Sequence, residues 1–189
     1  EKTPNVRVLP YDDVFNYSAI NNYAVSLSKG ELVCLLNNDT EVISPEWLSQ
    51  MVAELSRETV GAVGAKLLYT DGTVQHAGVV LGVGGDMVVA GHGLLSLGGE
   101  AGGYFSYALL TREVSAVTAA CLLTTREVFD EVGGLNEGAL RVAFNDVDFC
   151  LKIREAGYKI IWTPHAVLHH HESKSRGLED TPEKQARFS

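Results

Sequence analysis

Apolar and polar positions alternate along the chain in short, well-punctuated blocks. Residues 5–9 alternate polar and apolar side chains, which predicts a short strand. Ile20, Tyr23, Ala24 and Leu27 recur at helical spacing behind Ser18, a capping residue, and Gly30 closes the segment. Leu32-Val33-Cys34-Leu35-Leu36 is an unbroken apolar run, the pattern of a strand buried on both faces as in a parallel sheet. The polar segment Asn37-Asn38-Asp39-Thr40-Glu41 follows at its C-terminal end, where ligands collect in open α/β sheets. Ser44 at N-cap and Pro45 at the first helical position open a second helix reaching about Ser56, with Trp47, Met51 and Leu55 on one face.

Residues 60–68 predict another strand, and residues 71–111 a glycine-rich excursion of short strands and loops. Its glycines, among them Gly82, Gly84, Gly85, Gly91 and Gly93, lack the strand–turn–helix setting of a dinucleotide fingerprint. Residues 115–124 read as a strand and 125–132 as a helix stopped by Gly133-Gly134. Residues 146–156 form a helix with Val147, Phe149, Cys150 and Ile153 inward and Gly157 at its end. Strands at 158–162 and 166–170 flank Pro164, and a polar tail fills 173–189. The pattern predicts one α/β domain over residues 1–189.

Composition narrows the function. The net charge is −9, from 24 acids against 15 bases, which argues against a sequence-independent grip on nucleic acid. A nucleoside diphosphate is still admissible, because a divalent cation neutralises its charge locally. The three cysteines, Cys34, Cys121 and Cys150, are scattered in apolar runs, so they read as buried free thiols of a reducing, cytoplasmic compartment. No apolar run approaches the roughly 20 residues of a membrane span.

Three clusters carry candidate chemistry. Asp39, at the mouth of the apolar run, could place a carboxylate on Mg²⁺ or Mn²⁺, although Asn and Asp also simply build turns. In Asn145-Asp146-Val147-Asp148 the acids open a helix. They serve either as caps or, for one facing a cleft, as the base that deprotonates an attacking hydroxyl. His169-His170-His171 lie on one strand, so alternation forbids all three from meeting one ion, and a solvated strand end is the plainer alternative. His76 and His92 stand alone and receive no role.

Together these segments resemble a known family. Phe15-Asn16-Tyr17-Ser18 with Asn21-Asn22, Gly30-Glu31 and Leu36-Asn37-Asn38-Asp39-Thr40-Glu41-Val42 resemble the donor-site half of inverting family 2 glycosyltransferases of the GT-A type. Val117-Thr118-Ala119-Ala120-Cys121-Leu122, then Arg126 and Val132-Gly133-Gly134-Leu135-Asn136-Glu137, are similar to their acceptor-side segment. Phe144-Asn145-Asp146-Val147-Asp148-Phe149-Cys150-Leu151 resembles their catalytic-base motif. Pro164 through His170-His171-Glu172-Ser173, with Ser175-Arg176-Gly177, resembles their closing strand and loop. Lys66-Leu67-Leu68-Tyr69 with Gln75-His76-Ala77-Gly78 is similar to the branch of rhamnosyltransferases and O-antigen or other surface-polysaccharide enzymes.

The resemblance implies a mixed sheet flanked by helices, a divalent metal (Mg or Mn), a UDP- or dTDP-sugar donor and a saccharide or lipid-linked saccharide acceptor. Asp39, closing the DxD-like segment, would ligate the metal with His170, and His171 stands second. Asn37, where the family often has Asp, would touch the donor, as would Asn22. Asp146 would be the base, with Asp148 and Thr118 toward the acceptor. Asn145 stands where many members have an acid, and Ala119 where Gly is frequent.

Such enzymes open with a strand, an apolar-Pro-x-Tyr turn, a helix and a second strand, and nothing here fits those elements. The implied fold is therefore N-terminally truncated, with an open sheet edge covered by a second copy or an upstream domain. The implied place is the cytoplasm, peripheral at the membrane's inner face. Two rivals remain at the level of sequence: a non-catalytic module of a larger polysaccharide-assembly protein, and a metal-dependent hydrolase with water before Asp146.

Overall fold

The structure, a computed structural model, describes residues 5–82 and 90–171. In chain order these give α1 (Tyr17–Leu27), β1 (Leu32–Leu36), β2 (Thr40–Val42), α2 (Trp47–Leu55) and β3 (Val60–Leu68). The excursion follows as β4 (Val74–His76), β5 (Val79–Leu81), β6 (Ala90–His92) and a kinked 3-10 stretch at Tyr104–Leu109. The chain then forms β7 (Arg112–Val114), β8 (Cys121–Thr125), α3 (Arg126–Glu131), α4 (Asn145–Glu155) and β9 (Lys159–His170).

A seven-stranded mixed sheet orders its main path β1-β8-β3-β9-β2, with β4 added on β3 and β7 on β9; β5 and β6 pair separately. β3 and β9 run parallel, while β8 is antiparallel to both β1 and β3. Strand alternation divides the interior into two layers. Ala62, Leu122, Ile160 and Trp162 face a core shared with Val25 of α1, Phe129 of α3, and Phe149, Cys150 and Ile153 of α4. Val63, Cys121, Leu123, Ile161 and Leu168 face the opposite side, where Met51 and Leu55 of α2 cover them. Each fully buried Leu, Ile or Phe contributes about 1.5–3 kcal/mol, so both layers are substantial.

Several sequence expectations move. The apolar run at 32–36 is not buried on both faces: Val33 and Leu35 enter the core, while Leu32 and Leu36 stand 43% and 45% exposed and Cys34 is exposed with them. Its only paired neighbour among the described residues is the antiparallel β8, while α2 packs mainly on β9, β3 and β8. β3, by contrast, is buried throughout. Residues 5–9 form no strand, and Val6 and Val8 are exposed. Residues 115–120 precede β8 as irregular backbone. Asn16, not Ser18, caps α1 by accepting the Ala19 N–H, while the Ser18 hydroxyl donates to the Leu140 carbonyl.

Ser44 does not cap α2 either. Its hydroxyl accepts the Val167 N–H at 2.8 Å and lies 3.3 Å from the His165 carbonyl oxygen. It thereby fastens an irregularity in β9. Ala65 pairs with Thr163, but the next residue, Lys66, pairs with Val167, so the stretch around Pro164 bulges. The two expected strands at 158–162 and 166–170 are thus one strand with a bulge, paired to β7 before it and to β2 after it. The family-like residues Glu172 to Gly177 and the tail at 173–189 lie outside the described residues.

Candidate active site

Strand register brings the polar end of β1 to the end of β9. Thr40 pairs with His170 and Glu41 with His169, and the His171 N–H donates to the Asp39 carbonyl at 2.8 Å. Alternation then sorts the three histidines. His169 and His171 share one face, their rings stacked 6.1 Å apart, with His169 Nδ1 at the Tyr69 carbonyl and His171 Nε2 at Glu41. His170 points the other way, with Nε2 3.2 Å from Asp39 Oδ1 and 3.3 Å from Asn37 Nδ2. Of the three, the ring beside Asp39 is therefore His170.

The carboxylate there is short of donors. Asp39 Oδ1 is buried and has no hydrogen-bond partner among the described residues; its one close neighbour is the imidazole nitrogen. A buried acceptor in that position is costly unless positive charge reaches it. A divalent cation between Asp39 and His170 fits this donor set, since hard ions in such sites take one or two protein ligands and fill the rest with water and phosphate oxygens. Among the described residues, no group of three or more His, Cys, Asp or Glu is arranged to enclose an ion by itself.

Asn37 is held at the same place by backbone. Its N–H donates to the Ala120 carbonyl at 3.0 Å, one step beyond the β1–β8 ladder, and its Oδ1 lies 3.5 Å from the Tyr17 hydroxyl. That hydroxyl also donates to the Ala119 carbonyl at 3.1 Å. The other side of the Ala119 residue faces the second acid: its N–H donates to Asp146 Oδ2 at 3.1 Å. The segment Val117–Ala120 is thus a shared wall that touches Asn37 and Asp146. Gly64 of β3 lets this wall approach, since a Cβ there would lie 2.4 Å from Val117 Cβ.

Asp146 sits in the first turn of α4, half-buried, with Oδ1 accepting the Val147 N–H at 2.9 Å. The residue at the helix entry, Phe144, adopts φ 58°, a left-handed conformation unfavourable for a bulky side chain. Asn145 is 3% exposed. Asp148 pairs with Lys152 at 3.3 Å, and Lys152 also donates to the Gly134 carbonyl. Thr118 is half-buried, with its hydroxyl accepting the Ala120 N–H.

Asn22, expected to contact the donor, lines a cavity with Tyr11, Asp12, Tyr23 and Glu137. Both Nδ2 hydrogens and Oδ1 are engaged, by the Leu135 carbonyl, Glu137 Oε1 and the Leu135 N–H. It clamps α1 to the loop after α3. Gly134 sits in that clamp at φ +64°, where a Cβ would come within 2.7 Å of Asn22 Oδ1.

The isolation expected of His76 fails. It is buried in β4, its Nδ1 lies 2.7 Å from His92 Nδ1, and its Nε2 accepts the Thr118 N–H at 3.4 Å. Burial, reinforced by His92, Arg112 and His170, holds His76 well below the usual imidazole range. Gln75 beside it contacts His170 twice. The signal for both was a polar pair inside the apolar run 74–81, which a short buried strand does not carry without partners.

Comparison with known proteins gives the family and the fold. A model of the family described as "glycosyltransferase like family 2" matches residues 1–187. An uncharacterized protein, y4gI, of Sinorhizobium fredii is 62% identical over 183 residues, 97% of this chain and 20% of its own length. The O-antigen biosynthesis protein RfbC of Myxococcus xanthus is 43% identical over 181 residues, 95% of this chain and 14% of its own. The chain thus spans a fifth or less of these relatives.

Two solved structures share the fold. One is the mannosyltransferase PcManGT of Pyrobaculum calidifontis in complex with GDP-Man and Mn²⁺, with TM-score 0.58, 18% identity and coverage of 93% of this chain and 41% of that one. The other is GalNAc-T7 with UDP, GalNAc and Mn²⁺, with TM-score 0.66, 14% identity and coverage of 94% and 35%. The sheet is that of the GT-A glycosyltransferases, and with the sequence match running nearly end to end, the chain belongs to glycosyltransferase family 2.

Proposed function

We propose that this chain moves a sugar from a nucleoside-diphosphate donor to a saccharide or lipid-linked saccharide acceptor, with inversion, in bacterial surface-polysaccharide synthesis. The observation that carries the reading is the shared wall at Val117–Ala120, which backs onto Asn37 on one side and holds Asp146 on the other. The relative named for O-antigen biosynthesis supports the pathway, and the Mn²⁺ and nucleotide-sugar complexes of the structural neighbours support the donor class.

Asp39 and His170 would hold a divalent cation, Mg²⁺ or Mn²⁺, which when bound offsets the charge of the departing diphosphate. Asn37 contributes an amide without charge on the donor side. Asp146 keeps one acceptor lone pair on each oxygen beyond its two backbone bonds, and takes the proton of the attacking hydroxyl. Fixing the carboxylate with two backbone N–H groups lowers the cost of orienting it for that transfer. Thr118 and Asp148 flank it toward the acceptor. Among the described residues no helix is long and apolar enough to cross a membrane.

Asp146→Asn tests this directly. Transfer should fall by about 10²–10⁴-fold, the usual contribution of a general base. Binding of UDP or dTDP with Mn²⁺, followed by calorimetry, should be unchanged. Surviving transfer would remove Asp146 from its role. Absence of metal-dependent nucleotide binding in the unaltered protein would favour a non-catalytic module, which the exposed face of β1 would suit as a contact surface.

A further inference from the structure

We propose that Gln75 is a positioning residue: it fixes which ring nitrogen of His170 carries the proton, and so keeps the Nε2 lone pair turned toward Asp39. The inference rests on the reading that Asp39 and His170 together hold a divalent cation. Its first support is a chain of forced donor and acceptor assignments. The main-chain oxygen of His170 can only accept, and Gln75 Nε2 lies 3.3 Å from it. That places the amide nitrogen of Gln75 at the backbone and its carbonyl oxygen at the ring, 2.8 Å from His170 Nδ1. A carbonyl oxygen also only accepts, so Nδ1 must be the protonated nitrogen. In the neutral ring Nε2 is then left as the acceptor, 3.2 Å from Asp39 Oδ1.

The second support is the backbone that aims Gln75. In the β3–β4 pairing Leu67 faces His76 and Leu68 faces Val74, so two steps on β4 match one on β3 and Gln75 is the bulged residue. Bulges turn a side chain out of the regular alternation. The same two β3 residues pair with Leu168 and His169 on their other edge, which brings the bulge level with His170. Gln75 is 5% exposed and the His170 side chain 12%, so little water competes for these bonds.

Consecutive residues of β4 therefore serve the two halves of the site. Gln75 orients His170, while His76 accepts the N–H of Thr118 in the wall that holds Asp146. Outer partners of metal-bound histidines act in this manner, and losing one typically costs about 10–100-fold in metal affinity.

The test is histidine ¹⁵N NMR of the metal-free protein at pH 8, with His170 assigned by its loss in His170→Ala. Mn²⁺ affinity is read in parallel by electron paramagnetic resonance. The unaltered protein should show the Nδ1–H form. Gln75→Leu should lose that preference and weaken Mn²⁺ binding by about 10–100-fold. Gln75→Glu keeps the acceptor for Nδ1–H and should retain the Nδ1–H form, with affinity near that of the unaltered protein. An Nε2–H ring in the unaltered protein overturns the proposal without any variant. Equal Mn²⁺ affinity in the unaltered protein and Gln75→Leu overturns the role of Gln75 alone. No Mn²⁺ binding by the unaltered protein overturns the metal reading itself, and with it the purpose assigned to Gln75.

Discussion

Asp39 and Asp146, the two candidate carboxylates, are supplied in opposite ways. Asp39 has a buried oxygen with no hydrogen-bond partner among the described residues, facing an imidazole nitrogen. Asp146 has each oxygen on a backbone N–H. A carboxylate starved of donors is completed by a cation; one held by two amides is fixed in direction while it keeps lone pairs for a proton. The same side chain thus serves two chemistries, and what separates them is the backbone around each.

The largest expected way to break that contrast is Asp39→Asn. Removing the charge should weaken Mn²⁺-dependent nucleotide binding by at least about 100-fold, beyond the loss usual for an outer-sphere partner. Calorimetry in which Asp39→Asn and Asp146→Asn bound equally well would erase the distinction. Gly134→Ala probes the clamp between α1 and the loop after α3, away from the two carboxylates. The left-handed backbone and the contact with Asn22 predict a loss of about 1–3 kcal/mol in urea denaturation, with Mn²⁺ affinity unmoved.

The pH dependence of stability is a finer probe, because His76 lies against the wall. The folded state keeps this ring neutral, while the unfolded chain takes up a proton near pH 6.5. Its contribution is therefore complete above about pH 6.5 and is lost as pH falls from there, at up to about 1.4 kcal/mol per pH unit. Denaturation between pH 7.5 and 5.5 should show this slope, and His76→Gln should flatten it. Smallest of all is Asp148→Asn. A partly exposed i,i+4 pair with Lys152 is worth about 0.3–0.5 kcal/mol, and the effect on transfer should fall on the acceptor KM rather than on kcat.

Much of this was legible in the residues. Segment 60–68 declared a buried strand by its nearly continuous run of small and apolar residues, and 146–156 a helix because one face had to be buried at a fixed period. Asp39, Asp146 and His170 were legible as candidates through polar residues closing apolar runs, and alternation already required the three histidines to divide. What sequence did not carry was set by pairing. The exposure of Leu32, Cys34 and Leu36 depends on which strands flank β1. The clamp formed by Asn22 and the bulge that aims Gln75 join residues more than ninety positions apart, and no local period records them.

The bulge around Pro164 also bears on which chain lengths the site tolerates. Between the partners of Ala65 and Lys66, β9 holds three residues more than regular pairing needs. That number is odd, and side chains alternate with period two, so gaining or losing one residue there would exchange the faces of everything downstream. His169 and His171 would turn to the other face and His170 away from Asp39. A single-codon insertion or deletion at 164–166 is thus equivalent to removing the ligand, although it touches neither histidine nor acid. A two-codon change keeps the parity and is the milder lesion. Indels in this stretch should accordingly persist in even steps or not at all.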